Sequence, residues 1–201
     1  MTIQPGSFVF SAENAEKVAA IIAKYPEGRQ QSAILPLLDM AQRQHEGWLP
    51  RAAMDHVAEL LDMAPIRVYE VATFYTMFNL KRGGRHYVQV CTTTPCWLRG
   101  SDEVLETCIK HLGIKLGQTT DDGMFTLVEV ECLAACVNAP VAQIGDDYFE
   151  DLDADSMTRI LDGFVAGKQP RPGSQVARQT SAPLSGAKTL TDVEAPAGGK
   201  V

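Results

Sequence analysis

The sequence lacks the features that define several large classes of protein. No stretch approaches the roughly 18–20 uninterrupted apolar residues of a membrane-spanning helix. The net charge is −7 and there is no long basic run, which argues against binding to the phosphates of nucleic acids. Neither a Walker A sequence nor a G-x-G-x-x-G motif after a strand is present, and no Ser/His/Asp arrangement is evident. We therefore expect no membrane span, no nucleic-acid partner and no complete active site on this chain.

The sequence also shows no sign of export. Its first ten residues, MTIQPGSFVF, lack the charged and apolar regions of a secretory signal and the Arg-rich character of a transit peptide. We therefore expect a reducing compartment, in which disulfides are rare and clustered cysteines favour metal or redox chemistry.

Residues 1–80 show apolar residues at helical spacing, which predicts a bundle of four helices. Ser11 suits the cap of the first helix, Pro50 the first turn of the third and Pro65 the start of the fourth. Pro36 either kinks the second helix or lies in its first turns. An aromatic stretch is predicted to be core or interface rather than a cofactor site: Phe74, Tyr75, Met77 and Phe78.

Residues 81–167 change to a pattern of strands and helices. The predicted strands are 86–90, Phe125–Val130, Val141–Ile144 and 148–150, and the predicted helices are Ser101–Leu112 and 153–165. The last two strands form a hairpin around Gly145. The order β-α-β-β-α is typical of a thioredoxin-type sandwich, so we predict an α+β chain in which a helical bundle precedes this domain.

Residues 168–201, the C-terminal tail, are rich in Pro, Gly, Ser, Ala and Thr. Such a composition buries too little apolar surface to offset the entropy of ordering the segment. We predict an extended tail that lies along a partner.

Four cysteines form two separated pairs, Cys91-x4-Cys96 and Cys132-x3-Cys136. Each pair follows a predicted strand, and neighbouring strands place their ends side by side. Two loops far apart in the sequence can therefore meet above one edge of a sheet and supply four thiolates.

The spacing of the pairs favours one kind of metal site. Structural zinc usually uses C-x2-C knuckles, which are absent, as are the plant-type ferredoxin spacing and a C-x-x-C redox dithiol. A [2Fe–2S] cluster needs two ligands on each iron, which two pairs supply. Spacing alone favours the cluster, with zinc and unrelated structural thiols as open alternatives.

The remaining candidate ligands have simpler interpretations. Cys108 falls on the apolar stripe of its predicted helix and is expected to be a small buried residue. No C-x-H pattern of a Rieske centre occurs, so we expect the histidines to be surface or core residues: His45, His56, His86 and His111.

Three segments, in order along the chain, carry a family resemblance: VYEVATFYTMF, HYVQVCTTTPC and VEVECLAACVNAPVAQI. They resemble the small iron–sulfur subunit of respiratory NADH:quinone oxidoreductase (complex I), over residues 8–168. The resemblance implies an N-terminal helical bundle followed by a thioredoxin-like [2Fe–2S] ferredoxin domain. It implies that the cluster ligands are Cys91, Cys96, Cys132 and Cys136, and that the chain has no catalytic residues of its own.

The resemblance also implies partners. Members of this family exchange single electrons with FMN on a flavoprotein subunit, which binds NADH and a [4Fe–4S] cluster, and a larger iron–sulfur subunit lies beside them. It implies a place in the peripheral arm, on the cytoplasmic side of a bacterial inner membrane or the matrix side of a mitochondrial one. Contact with the membrane would be indirect, through the complex.

Two rival functions stay open. Related subunits occur in NAD-linked formate dehydrogenases and NAD-reducing hydrogenases, although the N-terminal bundle and the Pro-rich tail favour the respiratory complex. A protein of another class, a non-redox adaptor with structural zinc, is the second rival.

The chain departs from the family pattern at Ala134, where glycine is usual. A methyl group there is expected to crowd the sulfurs or to require a negative φ. We expect ligation to survive, with the potential or the stability of the cluster changed.

Overall fold

The computed structural model describes residues 4–176, 178–186 and 189. The chain forms two compact units, Met1–Arg85 and His86–Val201. Within the described residues, none of the helices is long and apolar enough to cross a lipid bilayer.

The first unit is helical. In its described part, α1 spans Ala12–Ile22, α2 Ile34–Gln44, α3 Arg51–Leu60 and α4 Pro65–Phe74. The Ser11 hydroxyl caps α1 by accepting a hydrogen bond from the Asn14 N–H at 3.2 Å. These four helices are the predicted bundle elements.

Prolines lie at or near the starts of three of these helices. Pro65 is the first residue of α4, as predicted, whereas Pro50 precedes α3 as its cap residue instead of lying in the first turn. Pro36 lies in the first turn of α2, where an N–H has no partner within the helix, so the proline costs no helical hydrogen bond.

An apolar core lies within the first unit. Leu37 of α2, Val57 of α3 and Val68 of α4 are fully buried there, and burying each side chain contributes about 1.5–3 kcal/mol. Phe78 belongs to this core. The rest of the aromatic stretch is exposed: Phe74, Tyr75 and Met77.

The second unit contains a sheet. Its strands are β1 (His86–Cys91), β2 (Phe125–Val130), β3 (Val141–Ile144), β4 (Asp147–Glu150) and β5 (Gly173–Ser174). Their order is β2-β1-β3-β4-β5, with β1 parallel to β2, antiparallel β1–β3 and β3–β4 pairs, and β5 parallel to β4. The four predicted strands and the β3–β4 hairpin are present.

Three helices complete the second unit in its described part. They are α5 (Thr94–Leu98), α6 (Ser101–Leu112) and α7 (Ala154–Val165). A parallel pair needs a long crossover, and α5 and α6 lie in the crossover between β1 and β2. The predicted α+β class, with a thioredoxin-like domain after the helices, is confirmed.

The two faces of the sheet carry different residues. Val88 and Val90 pack in one core with residues of α6 and α7, among them Val104 and Leu161. Successive strand residues point to opposite faces, and Cys91 packs in a separate cluster that contains Cys96, Ala139 and Val141. The cysteine cluster therefore lies on the opposite side of β1 from the core that α6 and α7 build.

The described part of the C-terminal tail contacts its own unit. Its residues 173–174 form β5, and the Gln169 side chain donates a hydrogen bond to Asp147 at 2.8 Å. Pro170 packs on Gly163, where a Cβ would lie 3.0 Å from the proline ring. Residues 177, 187, 188 and 190–201 of the tail lie outside the described residues, and its contact with a partner stays a prediction.

Helix α7 begins at a reciprocal cap. The Asp153 carboxylate accepts hydrogen bonds from the Ser156 N–H at 2.7 Å and from its hydroxyl at 2.6 Å, while the Asp153 N–H donates to the Ser156 hydroxyl at 2.8 Å. These bonds from the side chain and backbone of Ser156 hold the pKa of Asp153 below its ordinary value. The cap fixes the start of a helix that supplies Met157 and Leu161 to the core.

Replacing Asp153 with alanine is expected to lower the free energy of unfolding by about 1 kcal/mol, because the first turn of α7 loses its acceptor. Thermal unfolding at neutral pH measures the loss. Since the folded pKa of Asp153 is lowered, the difference from wild type should shrink as the pH falls through that pKa. Asp155→Ala, which removes a charge from the same turn, is the control. Equal losses for both variants would contradict the cap.

Candidate metal centre

The parallel pairing of β1 and β2 brings the two cysteine loops together. In the register of this pair, Cys91 lies opposite Val130, so both strands end at the same edge of the sheet. Cys91 is the last residue of β1, and Cys132 follows two residues after the end of β2. Two segments about 40 residues apart in the sequence therefore leave the sheet side by side.

The first pair, Cys91 and Cys96, is buried, with only 1% of each residue exposed. Cys96 lies in α5, a five-residue helix that begins with Thr94 and Pro95. Proline suits this position because its missing N–H has no partner in the first turn of a helix. The short helix turns the chain back after β1, so that Cys96 joins the cluster that contains Cys91.

The second pair, Cys132 and Cys136, is exposed. Their sulfur atoms lie 3.3 Å apart, and the Ala134 N–H donates a hydrogen bond to the Cys132 sulfur at 3.3 Å. Cys136 begins a 3₁₀ turn, Cys136–Asn138. The turn leads through a cis Ala139–Pro140 peptide bond to β3.

The two thiols of the exposed pair differ in pKa. A hydrogen bond from the Ala134 backbone, followed by one from the Cys136 thiol, lowers the pKa of Cys132. The hydrogen bond that Cys136 shares with Cys132 raises the pKa of Cys136. One thiol of this pair is thus inclined to ionise, and its partner holds the shared proton.

The buried pair shows the same division. Burial acts to raise the pKa of Cys91, but the Thr93 hydroxyl and the backbone of Leu133 and Thr93 donate to its sulfur and lower the pKa overall. The Thr93 Oγ1 lies 3.3 Å from this sulfur. Burial, and then the hydrogen bond with Cys91, raises the pKa of Cys96 to about 12.

All four thiols belong to one electrostatic group. Cys91 acts on Cys132 and Cys136, and Cys136 acts on Cys96, through their charges. Two loops therefore supply four soft sulfur ligands, and Thr93 and backbone amides lie beside them. Four such ligands, arranged as two pairs, fit a cluster in which each metal ion takes two thiolates.

The four cysteines are arranged as two pairs. Among the described residues, no group of three or more Cys, His, Asp or Glu side chains is close enough together to hold a metal ion in the arrangement seen. A [2Fe–2S] cluster asks for two protein thiolates at each iron, and each of the two cysteine pairs offers two.

The other candidate ligands lie elsewhere. Cys108 is fully buried in the core of α6 and α7, and burial raises its pKa to about 12. His45 and His56 contact Phe8 in the first unit, whereas His86 packs on Phe164 and His111 bonds Asp162 at 2.9 Å. The interpretation of these residues as core or surface groups agrees with their contacts.

Ala134 adopts a left-handed conformation with a φ of 63°. The expectation that the methyl group would require a negative φ is wrong, because the backbone keeps a conformation that favours glycine. This conformation aims the Ala134 N–H at the Cys132 sulfur. Alanine therefore carries a strain that glycine would not.

Sequence reasoning missed several groups that contact the sulfurs. Helix α5, which begins at Thr94, was not predicted from the sequence, although Pro95 near the start of a short turn was the available signal. The backbones of Leu133 and Val141 hydrogen-bond Cys91 and Cys96 respectively. No side-chain pattern marks such backbone donors.

Exposed apolar side chains flank the cysteines. Trp97 and Leu98 follow Cys96 in α5, with 57% and 70% of each residue exposed. Val137, next to Cys136, is 69% exposed. We call these three residues the apolar rim.

Comparisons with known proteins agree with this geometry. The sequence profile of the family described as "Thioredoxin-like [2Fe-2S] ferredoxin" matches residues 18–165. The chain is 61% identical over 156 residues to an NADH-quinone oxidoreductase subunit from Rickettsia conorii, a match that covers 78% of this chain and 93% of that protein. It is 52% identical over 191 residues to the mitochondrial NADH dehydrogenase [ubiquinone] flavoprotein 2 of Dictyostelium discoideum, covering 95% of this chain and 76% of the relative.

A solved structure shares the fold. An NAD+-reducing [NiFe]-hydrogenase chain superposes with a TM-score of 0.57 at 20% identity, over 65% of this chain and 23% of that one. Four thiols at one sheet edge of a thioredoxin-like domain, together with these matches, define an iron–sulfur protein. The chain belongs to the thioredoxin-like [2Fe–2S] ferredoxin family.

Replacing Ala134 with glycine is expected to raise the free energy of unfolding by about 1 kcal/mol, because glycine adopts a positive φ without steric cost. Thermal unfolding of the full chain at equal cluster loading measures the gain. Ala135→Gly is the matched control, since Ala135 has a φ of −102° and glycine there only adds freedom to the unfolded chain. An Ala134→Gly variant no more stable than wild type would contradict the strain.

Proposed function

We propose that the chain is the electron-transfer subunit of the NADH-oxidising module of an NADH:quinone oxidoreductase, with Cys91, Cys96, Cys132 and Cys136 as the ligands of one [2Fe–2S] cluster. The observation that carries the proposal is the meeting of two cysteine pairs at one sheet edge, in a chain of the [2Fe–2S] ferredoxin family. We infer that oxidation of NADH belongs to the assembled complex, because we expect no complete active site on this chain alone.

Each cysteine pair would hold one iron. The sulfurs of Cys132 and Cys136 are in contact, and those of Cys91 and Cys96 share a hydrogen bond. A bound [2Fe–2S] cluster supplies a centre that accepts and returns one electron at a time. Binding requires the thiols to lose their protons, and the lowered pKa values of Cys91 and Cys132 favour that loss in each pair.

The surrounding residues stabilise negative charge on the sulfurs. The Ala134 N–H points at Cys132, and the Thr93 hydroxyl lies beside Cys91. Hydrogen bonds to sulfur ligands favour the reduced state and raise the reduction potential. The buried side of the site excludes water, whereas the exposed pair leaves a path for electrons to a neighbouring protein.

The relatives are subunits of larger assemblies, so this chain works with partner subunits. We infer that one is a flavoprotein that binds NADH and FMN, and that a larger iron–sulfur subunit lies beside it. The apolar rim next to the exposed cysteines suits such a contact, since exposed apolar residues beside a functional group mark interaction sites. We propose a location in the peripheral arm of the complex, on the cytoplasmic side of a bacterial membrane or the matrix side of a mitochondrial one.

One alternative keeps the same chemistry in another complex. The shared fold with an NAD+-reducing hydrogenase is the observation that favours it, and an NAD-linked formate dehydrogenase would offer the same role. Identities of 52–61% to NADH dehydrogenase subunits favour the respiratory complex. Copurification with a nickel or molybdenum subunit would decide for the alternative.

Replacing Cys96 or Cys136 with serine is expected to abolish the visible absorption and the rhombic paramagnetic signal of the dithionite-reduced chain, because each removes a thiolate ligand. Cys108→Ser is the control and should keep both signals, since Cys108 lies in a separate core. Unchanged spectra in the ligand variants would refute the assignment. A colourless wild-type protein that contains zinc would support the structural adaptor instead.

Replacing Leu98 with aspartate is expected to weaken assembly with the NADH-binding flavoprotein about tenfold, because a charge enters the apolar rim. Copurification and titration with the partner measure the loss. Leu116→Asp is the control, because Leu116 is also exposed and lies beyond the far end of α6. Equal effects of the two substitutions, or no effect of Leu98→Asp, would contradict the docking role of the rim.

A further inference from the structure

The C-terminal tail reaches the loop that carries Cys136. The Arg178 guanidinium donates two hydrogen bonds to the Asp151 carboxylate, at 2.9 Å and 2.7 Å. It also donates to the Val137 carbonyl at 2.7 Å. Val137 is the residue that follows Cys136. Arg178 is more than 40 residues from Cys136 in the sequence, yet it contacts the residue next to this proposed ligand.

This ion pair is largely shielded from water. The Arg178 and Asp151 side chains are each only 11% exposed, whereas helix-surface pairs such as Arg43–Asp39 are far more open. A fork-shaped pairing between arginine and a carboxylate fixes both groups in direction as well as distance. Removing one partner leaves the other charge buried without compensation, so the pair resists opening.

The backbone of the same loop is tied to the same carboxylate segment. The Asp151 N–H donates to the Asn138 carbonyl at 2.7 Å, and the Leu152 N–H donates to the Pro140 carbonyl at 3.1 Å. The Asn138 side chain donates to the Thr180 carbonyl of the tail at 3.0 Å. The Cys136–Asn138 turn is therefore held both by the segment after β4 and by the tail.

We propose that Arg178 is a positioning residue for the cluster. Its guanidinium holds the Cys136 turn in place through its bonds to Val137 and Asp151. The proposal rests on Cys136 being a ligand. We call the three residues the tail clasp: Arg178, Asp151 and Val137. Arg178 lies outside residues 18–165, the part of the chain that matches the family profile. The clasp thus adds to the ferredoxin domain a control over how long the cluster stays bound.

The clasp acts by position and not by charge. Arg178 and Asp151 together are neutral, and the hydrogen bond to Val137 goes to a carbonyl oxygen, which carries no net charge. Opening the clasp frees the turn, so that the Cys136 sulfur can leave its iron more often. Removing either member of the ion pair should therefore have the same direction of effect, although the two substitutions change the charge in opposite directions.

The test is the rate of cluster loss from the full-length holoprotein. With the iron chelator bathophenanthroline disulfonate in excess, bleaching of the visible absorption should be about tenfold faster in Arg178→Ala, as expected for loss of charge-assisted hydrogen bonds. Asp151→Asn should also lose the cluster faster, and Arg178→Lys should fall between Arg178→Ala and wild type. Amide exchange of residues 132–138 should rise in the same order.

Two controls separate the clasp from a general loss of stability. Arg171→Ala removes an exposed arginine from the same tail and should leave the rate unchanged. Ile160→Val weakens the core of the same unit by packing alone. If Arg178→Ala releases the cluster no faster than Ile160→Val after equal changes in unfolding free energy, the proposal is overturned. Opposite effects of Arg178→Ala and Asp151→Asn would also overturn it.

The outcome distinguishes this inference from the proposed function. If the wild-type chain takes up no iron and sulfide on reconstitution, both the proposed function and the tail clasp are refuted. If the wild-type chain holds the cluster and the Arg178→Ala variant loses it at the wild-type rate, the tail clasp is refuted and the proposed function stands.

Discussion

The parallel pairing of β1 with β2 is the constraint on which the site depends. The pairing fixes Cys91 opposite Val130, so the segments that carry both cysteine pairs leave the sheet at one edge. A shift of one residue would turn every side chain of the strand to the other face, moving Cys91 into the core that α6 and α7 build. The crossover between the strands is thus a structural requirement of the site as well as a connection, and its first helix supplies Cys96.

The two cysteine pairs differ in their exposure to water, and this difference gives the site one insulated side and one accessible side. The inner pair lies against Ala139 and Val141 and is closed to water, while the outer pair lies at the surface near the apolar rim. A centre held between them would be insulated on one side and within reach of a partner on the other. An electron carrier needs both properties, since insulation protects the reduced state and proximity sets the rate of transfer.

Much of this arrangement could be predicted from sequence. Runs of β-branched residues marked the strands, helical spacing marked α6 and α7, and the placement of Cys91 and Cys132 after strands indicated a shared edge. The short helix α5 spans only five residues and shows no helical periodicity, so the one signal for it was Pro95 near its start. The positive φ of Ala134 directs its N–H at the Cys132 sulfur. This contact depends on the three-dimensional position of the sulfur, so the sequence alone could not predict it.

The composition of the tail does not reveal the contacts that its described part makes with its own unit. Few large apolar residues lie beyond Gly167, and on that basis the segment should gain little from packing on its own domain. Its described part is held by polar contacts: a two-residue strand and the largely shielded side chain of Arg178. Neither contact changes the average composition of the segment. A measure of hydrophobicity does not record the five hydrogen-bond donors of a single arginine such as Arg178.

The position of Arg178 along the chain has a consequence for biogenesis. Synthesis proceeds from the N-terminus at about 5–20 residues per second, and domains fold as units while the rest of the chain follows. Both cysteine pairs and all the strands from β1 to β4 are therefore made before the residue that fixes the Cys136 turn. A nascent chain can thus present four gathered thiols with a turn that is still free to move, which suits delivery of iron and sulfide. Synthesis and folding of the segment that carries Arg178 then end this period.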